Sequence, residues 1–524
     1  MTAVTKSATP TLKHFLWVGI TSAALCIFAF QRLLWRGYQF VGNDFDLTQF
    51  WIPSSKFFRL WMHSGVLPQW NPYIGGGYAL ERPEEFYYSA INLMQWLLPP
   101  NEKTLDFLLA GHATLLAVCT AWVLLQYRFS PLVSVLGGLC LACTGTPCAQ
   151  LFAGHISLYC ILCWSSPLLL LQRQAMKSRA LCWTLLYGLA NCIPFAYGSY
   201  EGVYIVGALQ LLFLGLQIGL GHPHPIQPLG FLSVGPAYED RADTLFFSSS
   251  VPLSERLRDA GWALLKGVLA ALIALNVAYC YWGSSFVRGY LVTNHPVSEA
   301  TASPLCWVSL LIPSFLLGDG TDFAWTFFPG WEGAPGIGGS FLTLLLAGLV
   351  VSRSRRQLVL PLGLVLAGCA IGSGQYLPIL QMYARLDPFV GLLEVPSRIL
   401  FLCNFGFVLT LAWALQTLLD RSADLPSLLR PKLPYLTIPL ALFWIATYYT
   451  DGSSPLWQWL FKSITVSPRM IPEAYYVISW TKLSLQLFLV SSLCYCLVRL
   501  PRQAFSPILA LLVGVDLLSY PLPY

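Results

Sequence analysis

Two aspartates lie two residues apart in the segment NDFDLTQFWIP, residues 43–53. Only 10% of the 524 residues are charged, so Asp44 and Asp46 stand out in an apolar chain. Aromatic neighbours such as Phe45 and Trp51 would partly desolvate a carboxylate. A carboxylate in that setting can act as a general base or as a ligand for a divalent cation such as Mg²⁺ or Mn²⁺. The alternative is that both aspartates are solvated residues at the end of a membrane helix.

The composition is that of a membrane protein. Hydrophobic residues make up 56% of the chain and the mean hydropathy is +0.62, whereas roughly a quarter of the residues of a soluble domain are charged. The apolar runs are continuous and do not alternate, which favours helices over a barrel. We predict an all-α polytopic integral membrane protein whose partner is the lipid bilayer. The net charge of +6 comes from basic residues at the ends of apolar runs, so no nucleic-acid partner is expected.

A helix needs about 20 apolar residues to cross the bilayer core, and about thirteen runs approach that length. The run that follows Lys6 and Lys13 is too long for a signal-peptide core, and we take it as a retained first helix. The predicted spans lie near 14–35, 105–127, 131–149, 150–172, 180–198, 202–220, 262–282, 337–352, 357–374, 398–419, 433–450, 476–499 and 504–521.

The basic clusters predict the orientation. With thirteen spans, all of them fall on one side, which the positive-inside rule makes cytoplasmic, together with the N-terminus. Residues 1–524 then form one transmembrane domain, with a first extracytoplasmic loop at 36–104 and a cytoplasmic loop at 220–261. The connections near 154 and 199–201 also face outward. The clusters contain Lys6, Lys13, Arg173, Lys177, Arg179, Arg353, Arg355, Arg356, Arg421, Arg430, Lys432, Arg499 and Arg502.

The first outer loop has structure of its own. Its segment 50–63 mixes aromatic and basic residues, which predicts a helix lying in the membrane interface. The prolines and glycines of residues 65–77 predict tight turns and no span. The short apolar run 86–98 is predicted to be a second interfacial or re-entrant helix.

Four stretches carry a resemblance to a known family. They are NDFDLTQFWIP…SGVLPQWNPYIGGGYALERPEEFYYSAINLM in the first outer loop, TGTPCAQLFAGHISLYCILCWSSPLLLL at 144–171, FFPGWEGAPGIGG at 327–339 and EVPSRILFLCNFGFVLTLAWAL at 394–415. In this order they resemble polytopic membrane glycosyltransferases of the GT-C superfamily, especially the YfhO-like bacterial membrane proteins, and the resemblance covers most of the chain. Asp46, seven residues before Pro53, matches the position of the family acid, and Asp44 is the second candidate because Asn43 replaces the usual aspartate.

The resemblance implies transfer of a sugar from a polyprenyl-phosphate-linked donor to an acceptor glycan or lipid. The reaction would be an inverting direct displacement on the outer face of the bacterial inner membrane. Asp46 would take the proton of the acceptor hydroxyl, or would hold a divalent cation that neutralises the leaving phosphate. Arg398, at the start of a predicted span, is the candidate phosphate partner through bidentate hydrogen bonds; the alternative is an arginine that snorkels to the interface.

Five further residues are predicted to face the same outer side. His155 either orients the substrate, ligates a cation or makes a structural hydrogen bond. Glu201 and Glu332 are costly near a membrane and therefore need a partner or water, so they could meet the first loop across a cavity. Glu85 is the weaker carboxylate candidate, and Tyr88 either stacks on a sugar ring or anchors to lipid headgroups.

Two other functions fit the composition. A transporter or flippase for a lipid-linked glycan would need charged residues at mid-membrane, for which Asp516 is the best candidate. A catalytically inactive scaffold with the same fold is the other. The alternatives differ in geometry, because a transferase should gather Asp46 and Arg398 in one outward-facing cavity with His155, Glu201 or Glu332.

Overall fold

The structure, a computed structural model, describes the chain in nine main segments and several short pieces. Predicted spans near 433–450 and 476–499 lie outside the described residues, as does most of the predicted cytoplasmic loop. The main segments are 11–35, 103–143, 145–177, 180–197, 199–220, 253–282, 339–352, 355–372 and 396–421. The short pieces are 56–57, 60–61, 63–65, 70–71, 78–79, 94, 429, 507–509 and 511–513.

Almost all of this backbone is helical, and turns of 3₁₀ helix at Arg355–Leu358 and Pro396–Leu400 lead into two of the helices. The helices are α1 (Leu12–Ala29), α2 (Gln31–Trp35), α3 (Lys103–Gln126), α4 (Pro131–Cys143), α5 (Gly145–Ala153), α6 (Ile156–Cys163), α7 (Ser165–Lys177), α8 (Leu181–Ala190), α9 (Cys192–Ala196), α10 (Tyr200–Leu220), α11 (Leu253–Trp282), α12 (Gly339–Val351), α13 (Val359–Gly372) and α14 (Phe401–Asp420). In the segment predicted to be the first outer loop, β1 (Trp70–Asn71) pairs antiparallel with β2 (Tyr78–Ala79).

Within the described residues, five helical stretches are long and apolar enough to cross a membrane. The prediction of a helical, multi-pass membrane protein is therefore confirmed at this level. The count of about thirteen spans and the remaining boundaries stay predictions. The five stretches are Leu12–Ala29, Lys103–Gln126, Pro131–Cys148, Ile156–Met176 and Arg398–Asp420.

Two predicted boundaries differ from the structure. The fourth predicted span begins at Ile156 and not at residue 150, because Gly154, with φ +85°, ends α5. The helix predicted from residue 262 begins at Leu253, inside the predicted loop 220–261. Hydropathy detects only the apolar part of a helix, and the charged turns of LSERLRDA continue the same helix beyond that part.

The helix α14 lies at the centre of the described bundle. It packs against α4, α12 and α13, and all residues of its most apolar stretch are buried. In α1, by contrast, only 22% of the residues are buried. Large apolar side chains on the outer helices point away from the protein, including Ile20, Leu264 and Leu366, each about two-thirds exposed. Apolar surface of this extent fits contact with lipid.

Small residues allow the helices to approach closely. A Cβ on Gly138 of α4 would lie 2.3 Å from the carbonyl oxygen of Ala117 on α3. Since lipid provides no hydrophobic drive between helices, close backbone contact of this kind supplies much of their association energy.

Hydrogen bonds place several helix termini at one end of the bundle. Arg173 donates to the carbonyl of Gln126, Lys266 to that of Ala175 and Arg421 to that of Val351, at 2.7–3.1 Å. The ends of α3 and α7 therefore meet, as do those of α12 and α14, and the bond from the backbone N–H of Ser130 to Oε1 of Gln416 joins the two pairs. The indole of Trp122 donates to the carbonyl of Phe15, which adds the start of α1 to this group. We call it the basic end, after Arg173, Lys266 and Arg421.

Candidate functional site

At the opposite end of the bundle, three of the residues singled out in the sequence meet. Nη1 of Arg398 donates to Oε2 of Glu201 at 2.5 Å, and Nη2 of Arg398 lies 3.4 Å from Nδ1 of His155. The side chains of Arg398 and Glu201 are only 16% and 5% exposed, so they form a largely buried ion pair. The three residues lie 197 and 243 positions apart along the chain. We call the end that holds them the site end.

His155 is positioned by the break between α5 and α6. It is the N-cap residue of α6, and its carbonyl accepts from the backbone N–H of Tyr159. Its Nδ1 lies 2.6 Å from Oε1 of the fully buried Gln150. Because an amide oxygen only accepts, Nδ1 carries the proton in this arrangement. Nη2 of Arg398 therefore contacts the ring without donating to that nitrogen, and the shorter Gln150 bond fixes the ring orientation.

All three side chains lie at helix N-termini. Glu201 is in the first turn of α10, whose start also has a bond from the backbone N–H of Gly202 to Oγ of Ser199. Arg398 is in the 3₁₀ turn that leads into α14, and His155 precedes α6. A helix N-terminus carries a partial positive charge and unpaired N–H groups, which favour Glu201 and disfavour Arg398. Three such termini beside a guanidinium form a region that attracts an anion.

A neutral hydrogen-bond network supports the loop before Glu201. The hydroxyl of Tyr197 lies 2.6 Å from Nε2 of His112, and the indole N–H of Trp164 donates to it at 3.2 Å. Nδ1 of His112 donates to the carbonyl of Leu108, so Nε2 is the acceptor of the Tyr197 proton when the ring is neutral. Tyr197 thus ties the start of α10 to α3 and to the junction of α6 and α7.

Sequence analysis did not identify Gln150 or Tyr197. Both are uncharged polar residues in apolar surroundings, and neither type is rare in membrane helices. The available signal was their spacing, since Gln150 precedes His155 by five residues and Tyr197 precedes Glu201 by four.

The other predicted site residues, Asp44, Asp46, Glu85, Tyr88 and Glu332, lie outside the described residues. Their relation to the Arg398 pair stays a prediction.

The cluster at the site end does not fit a divalent cation. It offers one carboxylate, already paired with a guanidinium, and one imidazole, which is fewer oxygen ligands than Mg²⁺ or Mn²⁺ needs. In the part of the chain that the structure describes, no group of three or more His, Cys, Asp or Glu side chains could hold a metal ion. The candidate Mg²⁺ or Mn²⁺ ligands are Asp44 and Asp46, outside that part.

No family model matches this chain, and neither a curated protein nor a solved structure matches it. The likeness to the GT-C glycosyltransferases therefore stays a prediction, and the geometry at Arg398 is the basis for a functional proposal.

Proposed function

We propose that the protein is a membrane glycosyltransferase that moves a sugar from a polyprenyl-phosphate-linked donor to an acceptor glycan or lipid. The observation that carries the proposal is the buried Arg398 at the site end, held between Glu201 and His155 where three helices begin. A guanidinium matches the geometry of a phosphate group, and the helix N-termini add to its attraction for an anion.

The depth of the site suits a lipid-linked phosphate. Arg398 begins a 23-residue stretch, ending at Asp420, that is long and apolar enough to cross a membrane, and a start there would put it at the boundary between the membrane core and the aqueous side. A polyprenyl chain can stay in the bilayer while its phosphate reaches such a position. A soluble nucleotide sugar would not need a site at this boundary.

In the proposed reaction, the acceptor hydroxyl attacks the anomeric carbon of the donor sugar. A new carbon–oxygen bond forms as the bond to the phosphate oxygen breaks, and the polyprenyl phosphate leaves with the bonding electron pair. Asp46, or Asp44, takes the hydroxyl proton as general base. Arg398 stabilises the negative charge that collects on the leaving phosphate. The result is inversion at the anomeric carbon.

The proposal also includes the orientation of the protein in the membrane. The basic end carries Arg173, Lys266 and Arg421, and the positive-inside rule assigns such an end to the cytoplasm. The site end would then face the extracytoplasmic side of a bacterial inner membrane, where lipid-linked sugars are presented to envelope acceptors. The N-terminus, at the start of α1, would be cytoplasmic.

The distribution of charge favours a transferase over a transporter. In the apolar helices that the structure describes, charged side chains lie near the ends, as Asp106, Arg173 and Glu201 do. A transporter that moves a charged headgroup across the bilayer needs polar groups along the membrane centre.

The test is a set of substitutions in cells that make the envelope glycan. Asp46→Ala, Asp44→Ala and Arg398→Gln are compared with Arg421→Gln at the basic end. We expect at least one aspartate variant and Arg398→Gln to lower sugar transfer by about a hundredfold or more, with accumulation of the lipid-linked donor. The Arg421 variant should transfer normally. Normal glycan modification by all three site variants, at normal protein levels, would refute the proposal.

A further inference from the structure

We infer that Glu201 is a resident counter-ion of Arg398 and that the phosphate of the ligand displaces it from the guanidinium. The choice of ligand rests on the proposed function. The inference adds that Glu201 sets the selectivity and strength of phosphate binding by competing for the same cation.

The geometry shows why Arg398 needs an anion at all times. Its side chain is only 16% exposed and it lies where helix N-termini already contribute positive charge. An unpaired cation in such a place is strongly unfavourable. Glu201 meets this need in the structure through the short Nη1–Oε2 contact.

Glu201 can give up the guanidinium without losing all of its stabilisation. It lies in the first turn of α10, whose unpaired N–H groups and dipole favour a carboxylate independently of Arg398. Arg398 lies at the N-terminus of its own helix, where the helix dipole does not favour a cation. The pair is therefore asymmetric: the carboxylate can stay at its helix terminus while the cation turns to a new anion.

A phosphate is the ligand that can win this exchange. It presents several oxygens to the planar guanidinium and can be held by two parallel hydrogen bonds. A neutral ligand, or the sugar alone, offers no charge to replace that of Glu201. The ion pair thus favours anionic lipids over neutral ones, at a cost set by Glu201.

The experiment measures binding of farnesyl phosphate, inorganic phosphate and farnesol to the purified full-length protein in detergent. Glu201→Gln keeps the size and the hydrogen-bond acceptor but removes the competing charge. We expect it to bind farnesyl phosphate about tenfold more tightly than the wild type, which corresponds to about 1.4 kcal/mol. Arg398→Gln should bind it at least about tenfold more weakly. Farnesol binding should not change in either variant.

Asp106→Asn is the matched control. Asp106 is a buried carboxylate in the first turn of α3 at the site end, and it pairs with Lys103 at 3.2 Å. Its substitution also removes one buried negative charge, so it should leave phosphate affinity within about twofold if the particular carboxylate on Arg398 is what matters. If Asp106→Asn gained as much affinity for farnesyl phosphate as Glu201→Gln, the gain would come from net charge alone and the inference would be overturned.

Glu201→Asp is a second variant, for the case in which Glu201→Gln does not fold. Glu201→Asp keeps the charge but shortens the side chain, which should loosen the pair and tighten farnesyl phosphate binding by about two- to threefold. Unchanged or weaker binding in the folded Glu201 variants would overturn the inference. A gain with inorganic phosphate as well would show that the headgroup alone drives the exchange, whereas a gain with farnesyl phosphate only would show that the lipid chain is needed; both support the exchange.

Sugar transfer is measured separately, so that the two proposals can fail independently. If Glu201→Gln gains affinity but the wild type transfers no sugar, the proposed function fails and the counter-ion role stands. If the wild type transfers sugar and Glu201→Gln shows no gain in affinity, the counter-ion role fails and the transferase stands.

Discussion

At the basic end, Arg173, Lys266 and Arg421 each donate to a carbonyl in the last turn of a neighbouring helix, whereas at the site end Arg398 lies where helices begin. A helix C-terminus offers unpaired carbonyls and partial negative charge, so these cations complete the helices that they touch. A helix N-terminus repels a cation. Arg398 is therefore placed against the local electrostatic preference and needs Glu201 to offset it.

The difference separates cations that complete helix ends from the cation that we propose to bind a ligand. A cation that caps a helix end already has a partner in the partial negative charge of the backbone carbonyls and gains little from an added ligand. For Arg398, which lies at helix N-termini and pairs with Glu201, we propose that a ligand replaces the carboxylate. The following substitutions test this contrast, from the largest expected effect to the smallest.

Removal of the cation at the site end should have the largest effect on stability. Arg398→Met leaves Glu201 buried without its cation and should lower the free energy of unfolding by about 3–5 kcal/mol. The double variant Arg398→Met with Glu201→Leu removes both charges and should recover most of that loss while abolishing phosphate binding. Denaturant titration of the purified protein measures both. A double variant as unstable as the single one would contradict the ion-pair interpretation.

A buried cation at the basic end should matter less. Arg173→Met should cost about 2 kcal/mol, because it loses a charged hydrogen bond to Gln126 and a cation–π contact at 3.9 Å from the Tyr127 ring. The methionine fills the space of the arginine stem, and no carboxylate is left behind. Farnesyl phosphate affinity should be that of the wild type. If it falls as much as in Arg398→Gln, the two ends are not functionally distinct.

The hydrogen bonds between uncharged side chains at the site end show how much this end is stabilised without its ion pair. Tyr197→Phe removes the hydroxyl shared by His112 and Trp164 and should cost about 1–2 kcal/mol. Tyr159→Phe is its control, since that hydroxyl donates to the carbonyl of Leu109 and its other partner, the Cys163 thiol, is weak, so the loss should be about half as large. Thermal unfolding of both variants gives the ranking, and an equal loss would mean that the second bond of Tyr197 contributes nothing.

The smallest effect on stability is expected for Arg421, a half-buried side chain that caps a helix end. Arg421→Gln loses the charged bond to the carbonyl of Val351 but can keep a neutral one, so less than about 1 kcal/mol should be lost. Sugar transfer per folded molecule should equal that of the wild type. A destabilisation as large as that of Arg398→Met would mean that capping a helix end and pairing a buried carboxylate cost the same.

The sequence predicted the helices well where an apolar run is itself the helix, as in Lys103–Gln126. It failed at Leu253, because the first turns of that helix are charged and lie beyond the apolar part. It predicted a connection near residue 154 but started the fourth span six residues too early, at 150 instead of Ile156, since a glycine in the left-handed region ends a helix without lowering the hydropathy of the run.

The candidate site was predicted in its parts but not in its arrangement. His155, Glu201 and Arg398 were each identified as residues at the outer ends of predicted spans, on topology and on likeness to a family motif. Nothing in the sequence specified that Arg398 would take Glu201 as its partner, or that Gln150 would orient His155. These choices depend on how far each helix is shifted and rotated against the next.

The sequence alone determined that lipid surrounds much of this protein and that its secondary structure is helical. Hydropathy is a sum over about twenty neighbouring residues, so it is fixed before any packing occurs. Only the tertiary structure decided which helix termini share an end and which carboxylate neutralises Arg398. Contacts between residues about two hundred positions apart depend on the packing of several helices at once, and no local pattern encodes that geometry.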